Sequence, residues 1–153
     1  YTARDAAHKR MLENLHKGIA LPVDLKDQTI YFAGPAPAKP NEPIGSVGPT
    51  TSYRMDAYSP ETIELGLTCM IGKGARSKEV VDAMKKYGAV YIGAVGGAGA
   101  LISQCVKKCE VVDYADLGSE AIHRLEVVDF PGIVIIDSEG NNLYETEPPK
   151  YKK

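Results

Sequence analysis

An α/β fold with a mixed sheet is the class this sequence predicts, and three observations carry it. Short apolar runs of strand length recur along the chain: "TIYFAGP", "LTCMIG", "AVYIGAV" and "GIVIID". Segments with helical apolar spacing, "ARDAAHKRMLENLHKG" and "SKEVVDAMKKYG", alternate with some of them. Strands nevertheless outnumber helices, and "CEVVDY" and "HRLEVVD" follow one another with no helix between, so parallel and antiparallel pairings are both expected.

Taken in order, the first helix places Ala7, Met11, Leu12 and Leu15 on one stripe and stops at Gly18. "TIYFAGP" is a strand closed by a Gly-Pro turn. Residues 35–49 are rich in Pro and Gly and read as an ordered loop, after which "SVGPTTSYR" is strand or extended loop. Ser59, Pro60 and Glu61 form a helix start: a cap, a proline where no N–H is needed, and an acid near the positive end of the helix dipole. "LTCMIG" is a strand. The next helix has Ser77 as cap, Val80, Val81 and Met84 inward, and Gly88 past its end. "AVYIGAV" is a strand, and the glycine-rich "GGAGALISQCVKK" enters a short helix. "CEVVDY", "HRLEVVD" and "GIVIID" are further strands, and "DSEGNN" is a hairpin-type turn leading into "LYE". One domain is expected over residues 1–147, with a loose tail over 148–153.

With 153 residues, 44% of them hydrophobic, the chain is long enough to bury a core. A formal charge of −2 and a pI near 5.9 give no electrostatic support to a general nucleic-acid or membrane-surface role. No apolar run is long enough to span a bilayer, and no charged-then-apolar leader opens the chain, so the expected location is cytoplasmic. The first residue is Tyr1 rather than Met, as in a trimmed chain. Cysteines are three, Cys69, Cys105 and Cys109, an odd number that argues against a disulfide framework. Cys105 and Cys109 stand four apart, one helix face if that segment is helical. No cysteine-cluster motif is present, so this chain is not expected to hold an iron–sulfur cluster or another metal by itself.

Several stretches carry chemistry. "GAVGGAGA" follows a strand and precedes a helix, where backbone N–H groups face an anion or where backbone simply packs closely; it matches no phosphate-binding fingerprint. "IGKGARS" puts Lys73 between two glycines at a strand end, either aimed into a cleft or solvated in a turn. Arg4 stands at a helix N-terminus, the unfavourable end for a cation, which suggests an anion to hold or an offset from Asp5. "GPTTSYRMD" offers the planar fork of Arg54 for a carboxylate, with threonine hydroxyls just before it. Three cations, each at the end of an element of an acidic chain, define a site for a small dianion if they converge. Of the histidines, His16 and His123 read as structural, and His8 is the one placed to approach a site, through Arg4.

The blocks "TARDAAHKR", "YFAGPAPAKP", "IGSVGPTTSYRMD", "MIGKG", "YADLGSEAIHRLEVVDFP" and "IDSEGNNLYE" resemble, from Thr2 to about Glu145, the β subunit of class I fumarate hydratase. The same module forms the C-terminal domain of single-chain class I fumarases and the β subunit of L-tartrate dehydratase. The resemblance implies a swivelling β/β/α domain. It also implies a hydro-lyase in which a separate α part carries a 4Fe–4S cluster, with no cofactor on this chain alone, and in which this part supplies substrate-binding side chains. Arg4, Arg54 and Lys73 then correspond to residues that bind the dicarboxylate substrate, and Thr50 to the proposed base; the acid, an aspartate, belongs to the partner. "RMD" at Arg54 to Asp56, where the tartrate enzymes tend to read RME, leans to fumarate, while Tyr53 stands where a small residue is frequent. The expected assembly is a hetero-oligomer with the cluster-bearing α subunit, inactive without it, with self-association of the isolated chain through the exposed docking patch. The alternatives are L-tartrate dehydration by the same arrangement, and a non-catalytic dicarboxylate-binding or interaction module.

Overall fold

The computed structural model describes residues 1–153. Its main sheet has the order β1 (Thr29–Tyr31), β2 (Cys69–Gly72), β3 (Val90–Gly93), β6 (Ile133–Ile136); the first three strands run parallel and β6 is antiparallel to β3. A second sheet is the antiparallel pair β4 (Val106–Asp113) and β5 (Ile122–Val127). The expected mixed sheet is therefore present. The N-terminal segment stitches the two sheets together. Thr2 bridges Tyr31 of β1 on one side and His123 of β5 on the other, and its amide donates to the His123 carbonyl at 2.9 Å.

Side-chain alternation along the strands sorts the core into two clusters. Ile30, Met70, Tyr91 and Ile136 stand in register across the main sheet, all essentially sealed from solvent. They face Ala7 and Met11 of α1 (Asp5–His16), Ile63 of α2 (Ser59–Glu64), and Val80 and Met84 of α3 (Lys78–Tyr87). Tyr31 and Ala33 turn to the opposite face, where they meet Ile44 and Val47 of the long loop, Ile102 of α4 (Gly99–Ser103) and Val106 of the hairpin. Each such large side chain contributes roughly 1.5–3 kcal/mol by leaving water. The parallel strands all end at one edge, at Tyr31, Gly72 and Gly93, and the segments that follow them, with the N-terminus of α1, meet there.

Local signals explain most boundaries. The Ser77 side chain accepts from the Val80 amide at 3.4 Å, and Gly88 ends α3 in the left-handed region at φ 83°. Four expectations are corrected. Ser59 does not cap α2: it is its first helical residue, its hydroxyl donates to the Met55 carbonyl at 3.0 Å, and Pro60 follows. The "SYRM" segment winds into a 3₁₀ turn, Ser52–Met55, instead of continuing extended. "LYE", after the hairpin-type turn, is helical, because Asn142 caps α5 (Leu143–Thr146) by accepting from the Tyr144 amide at 3.1 Å. The tail expected to be loose over 148–153 opens with a helical turn, α6 (Pro148–Tyr151), exposed throughout. Cys105 and Cys109 share no helix, since Cys105 lies beyond α4 and Cys109 in β4.

Candidate functional site

The "GPTTSYRMD" segment lies across the ends of β1 and β2. The Thr50 amide donates to the Phe32 carbonyl at 2.6 Å, just past β1. One residue on, Thr51 pairs with Lys73 as a parallel bridge, and Ser52 N donates to Lys73 O at 2.9 Å. The Ser52 hydroxyl accepts from Lys73 N at 3.0 Å, so the threonine pair is held to the GKG loop from both directions of hydrogen bonding. Gly72 makes this approach possible: a Cβ there would stand 1.9 Å from Ser52 Oγ. The Tyr91 hydroxyl lies 2.8 Å from both Ser52 Oγ and Gly74 O. Burial pushes its pKa up to about 12, so it stays protonated and its hydrogen bonds persist at neutral pH.

The arginines meet at the start of α1. Arg54 Nε donates to Asp5 Oδ1 at 2.8 Å. Arg4 Nε stands 3.7 Å from Asp5 Oδ2 and 3.8 Å from Glu120 Oε1, inside ion-pair range and outside hydrogen-bond range. Asp5 thus brings Arg4 and Arg54 together. Gly34 lets Arg4 lie against the end of β1, since a Cβ there would be 3.0 Å from Arg4 Cδ. Lys73 lies along the glycine-rich stretch, with its Nζ 3.3 Å from where a Gly96 Cβ would be, and it takes no carboxylate partner. Of the two readings of "GAVGGAGA", close packing is what the structure shows: a Cβ on Gly99 would meet the Gly48 amide nitrogen at 2.7 Å, and Gly96 lies beside the Lys73 side chain.

His8 lies beneath Arg4. It is fully buried, edge-on to Phe32 and stacked with Tyr58. Its Nδ1 is 2.8 Å from the Arg4 carbonyl, which only accepts, so Nδ1 carries the proton. Burial lowers its pKa to about 4, against smaller opposing effects, and the ring is neutral at physiological pH. Arg4 Nε, Asp5 Oδ2 and His8 Nε2 are the buried side-chain polar atoms without a hydrogen-bond partner, and all belong to the N-terminal turn of α1. Unsatisfied polarity concentrates at the place where the cations gather.

Three residues of this region escaped sequence reasoning, Ser52, Arg76 and Tyr91, and Asp56 was read only as part of the "RMD" block and not as the partner of Arg76. Tyr91 had a signal, a hydroxyl inside an apolar strand that must find a partner. Arg76 had none, since a buried arginine reads in sequence like any loop arginine. The larger clefts lie elsewhere, one of about 620 Å³ along the β4–β5 hairpin and one of about 510 Å³ between residues 36–46 and α4. No group of three His, Cys, Asp or Glu side chains stands close enough together to hold a metal ion.

An α/β domain that gathers arginines, a lysine and a threonine at the carboxyl ends of parallel strands has the usual form of a ligand-binding α/β protein. The family described as Fumarase C-terminus matches residues 1–147, and the chain belongs to it. Over 144 residues it is 42% identical to the aerobic class I fumarate hydratase of Salmonella typhimurium, covering 93% of this chain and 25% of that protein. With the mitochondrial fumarate hydratase 1 of Leishmania major it shares 44% over 149 residues, 94% of this chain and 26% of the relative. With a putative L(+)-tartrate dehydratase subunit beta of Methanocaldococcus jannaschii it shares 44% over 151 residues, 95% of this chain and 77% of the relative. The chain thus spans about a quarter of the length of the fumarate hydratases it matches. No helix is long and apolar enough to cross a membrane.

Proposed function

We propose that this chain is the β subunit of a two-part class I fumarate hydratase, a hydro-lyase that interconverts fumarate and (S)-malate with a cluster-bearing α subunit. The observation that carries the reading is the gathering of Arg4, Arg54, Lys73 and Thr50 on one edge, joined through Asp5 and through the Thr51–Lys73 bridge. Coverage of 77% of the tartrate dehydratase β subunit supports a separate chain of this size. That likeness also keeps L-tartrate dehydration as a second reading. The cluster does not fit residues of this chain, whose three cysteines are dispersed, and belongs to the partner.

In this reading Arg54 and Lys73 grip the substrate carboxylates, the arginine through its two free Nη groups because its Nε is committed to Asp5. Arg4 completes the grip. Thr50 Oγ takes the proton from the carbon beside a carboxylate. A threonine hydroxyl is a feeble base, and neighbouring cations in a site closed by the partner favour its anionic form. Dehydration releases that proton and a hydroxide from the adjacent carbon, together one water. The acid that assists hydroxide departure comes from the partner, because Asp5 is engaged with two arginines. Tyr53, 65% exposed beside Arg54, and Val95, 69% exposed beside Gly96, flank the site as apolar surface for that partner to cover.

Anaerobic turnover on fumarate and on L-tartrate, by this chain alone and mixed with its reconstituted partner, tests the proposal. Fumarate turnover only in the mixture is the expected result, and Thr50→Ala then abolishes turnover while assembly persists. A stable complex inactive on fumarate overturns the fumarate reading, and wild-type rates in Thr50→Ala remove Thr50 as the base.

A further inference from the structure

Arg76 is the only charged residue among the buried ones, and its side chain has no exposed surface. Its guanidinium is clamped between two rings, with its central carbon 5.2 Å from the Phe32 centroid and 5.0 Å from that of Tyr91. All three nitrogens are used. Nε donates to Asp56 Oδ1 at 2.7 Å, Nη2 to Ser59 Oγ at 2.7 Å, and Nη1 to Met70 Sδ at 3.3 Å. The other carboxylate oxygen of Asp56 accepts from the Ser77 amide at 2.6 Å. A buried ion pair of this kind is a poor source of stability, because desolvating both charges offsets most of their attraction, and an apolar plug of equal volume often does as well. What it supplies is direction: a planar fork with fixed donors admits one arrangement of its partners.

The two segments it joins are those that carry the substrate-binding cations. Asp56 closes the 3₁₀ turn that holds Arg54, and Arg76 lies three residues past Lys73 in the loop after β2. On the strength of the function proposed above, we infer that the Arg76–Asp56 pair is a positioning device that sets the separation of Arg54 and Lys73, and so the span of dicarboxylate the enzyme accepts. Neither residue touches substrate; both act through the segments they tie. Asp56 thereby acquires a role in specificity without being a contact. A longer acid at that position shifts the Arg54 turn relative to the GKG loop by about one methylene, while that loop stays on β2.

The test uses the assembled two-part enzyme with Arg76→Lys, Asp56→Asn, Asp56→Glu and the double variant Arg76→Lys/Asp56→Asn. A displacement of about an ångström in a positioning group costs on the order of 10²-fold in rate. The expectation is therefore a fall of that order in kcat/KM for fumarate in both Arg76→Lys, which keeps the charge and loses the fork, and Asp56→Asn, carried mainly by KM because binding cations are displaced. The double variant is expected to be no worse than the poorer single one, since both lesions remove the same contact. Asp56→Glu is expected to change the ratio of kcat/KM between fumarate and L-tartrate, because it alters the placement of Arg54 relative to Lys73. Asp56→Asn, nearly isosteric, keeps the test valid should Arg76→Lys fail to assemble. Kinetic constants and substrate ratio unchanged in Asp56→Asn and Asp56→Glu, with wild type active, overturn this inference alone. A wild-type assembly that neither turns over nor binds a dicarboxylate overturns the proposed function and this inference together.

Discussion

Acidification from pH 7 to pH 5 will destabilise the fold through His8. The ring is fully buried, and its pKa is lowered from 6.5 to about 4, first by burial. The nearby Arg76 charge acts in the same direction, against the hydrogen bond to the Arg4 carbonyl and the charge of Asp5. A depressed histidine binds fewer protons folded than unfolded between those two values, so stability is full above about 6.5 and is lost as pH falls toward 4. With these two pKa values the loss between pH 7 and pH 5 is about 2 kcal/mol. Urea unfolding of the chain at the two pH values measures it, and with a slope of about 2 kcal/mol/M the midpoint falls by about 1 M. His8→Asn is the control, because its amide nitrogen still reaches the Arg4 carbonyl but does not titrate. That variant starts less stable, having lost the ring contacts with Phe32 and Tyr58. Its pH dependence is nevertheless flatter by about 2 kcal/mol. His123, also lowered by burial, contributes equally to both proteins and cancels. Equal pH dependence in wild type and His8→Asn would refute the reasoning.

The remaining predictions concern the link between the threonine segment and the GKG loop. Tyr91→Phe leaves Ser52 and Gly74 O short of a partner in a sealed region, and is expected to lower stability by about 2 kcal/mol, or roughly 4–8 °C in a calorimetric Tm. Gly72→Ala forces a methyl into Ser52 Oγ and is expected to cost about 1–3 kcal/mol. Much of that cost is recovered in urea titrations of Gly72→Ala/Ser52→Gly, which restores the space; no recovery would place the strain elsewhere.

How legible was this protein in its sequence? The strands and α3 were, because period-two and period-3.6 apolar patterns survive folding unchanged, and because Ser77 and Gly88 act locally. The 3₁₀ turn at Ser52–Met55 was not. Its segment has no apolar period, and its shape is imposed from outside, by Ser52 on Lys73 and by Arg76 on Asp56 and Ser59. "LYE" was not legible as a helix, because the Asn142 cap competes with strand propensity only once β6 has placed it. At the site, the chemical types of Arg4, Arg54, Lys73 and Thr50 could be read from short blocks. Their meeting could not, since it depends on Asp5 bridging residues 4 and 54 and on Thr51 joining residue 73.

The arrangement also accounts for how three cations share one edge of an acidic domain. Asp5 and Glu120 stand among them, which offsets their mutual repulsion in the folded chain. The offset is uneven. Arg54 is hydrogen-bonded through Nε and so oriented, with Nη1 and Nη2 left to receive a carboxylate. Arg4 is near two carboxylates but bonded to neither, and its buried Nε remains unsatisfied. Lys73 has no acidic partner, and its side chain runs beside Gly96. One cation is preoriented, one is poised, and one is free. Of the three unsatisfied buried atoms, Arg4 Nε is the donor, and it is the one that an incoming anion of the proposed kind would satisfy; Asp5 Oδ2 and His8 Nε2 are acceptors and stay as they are. The deeper charge, Arg76, is fully committed. Its bonds to Asp56 and Ser59 hold together the segments that carry Arg54 and Lys73.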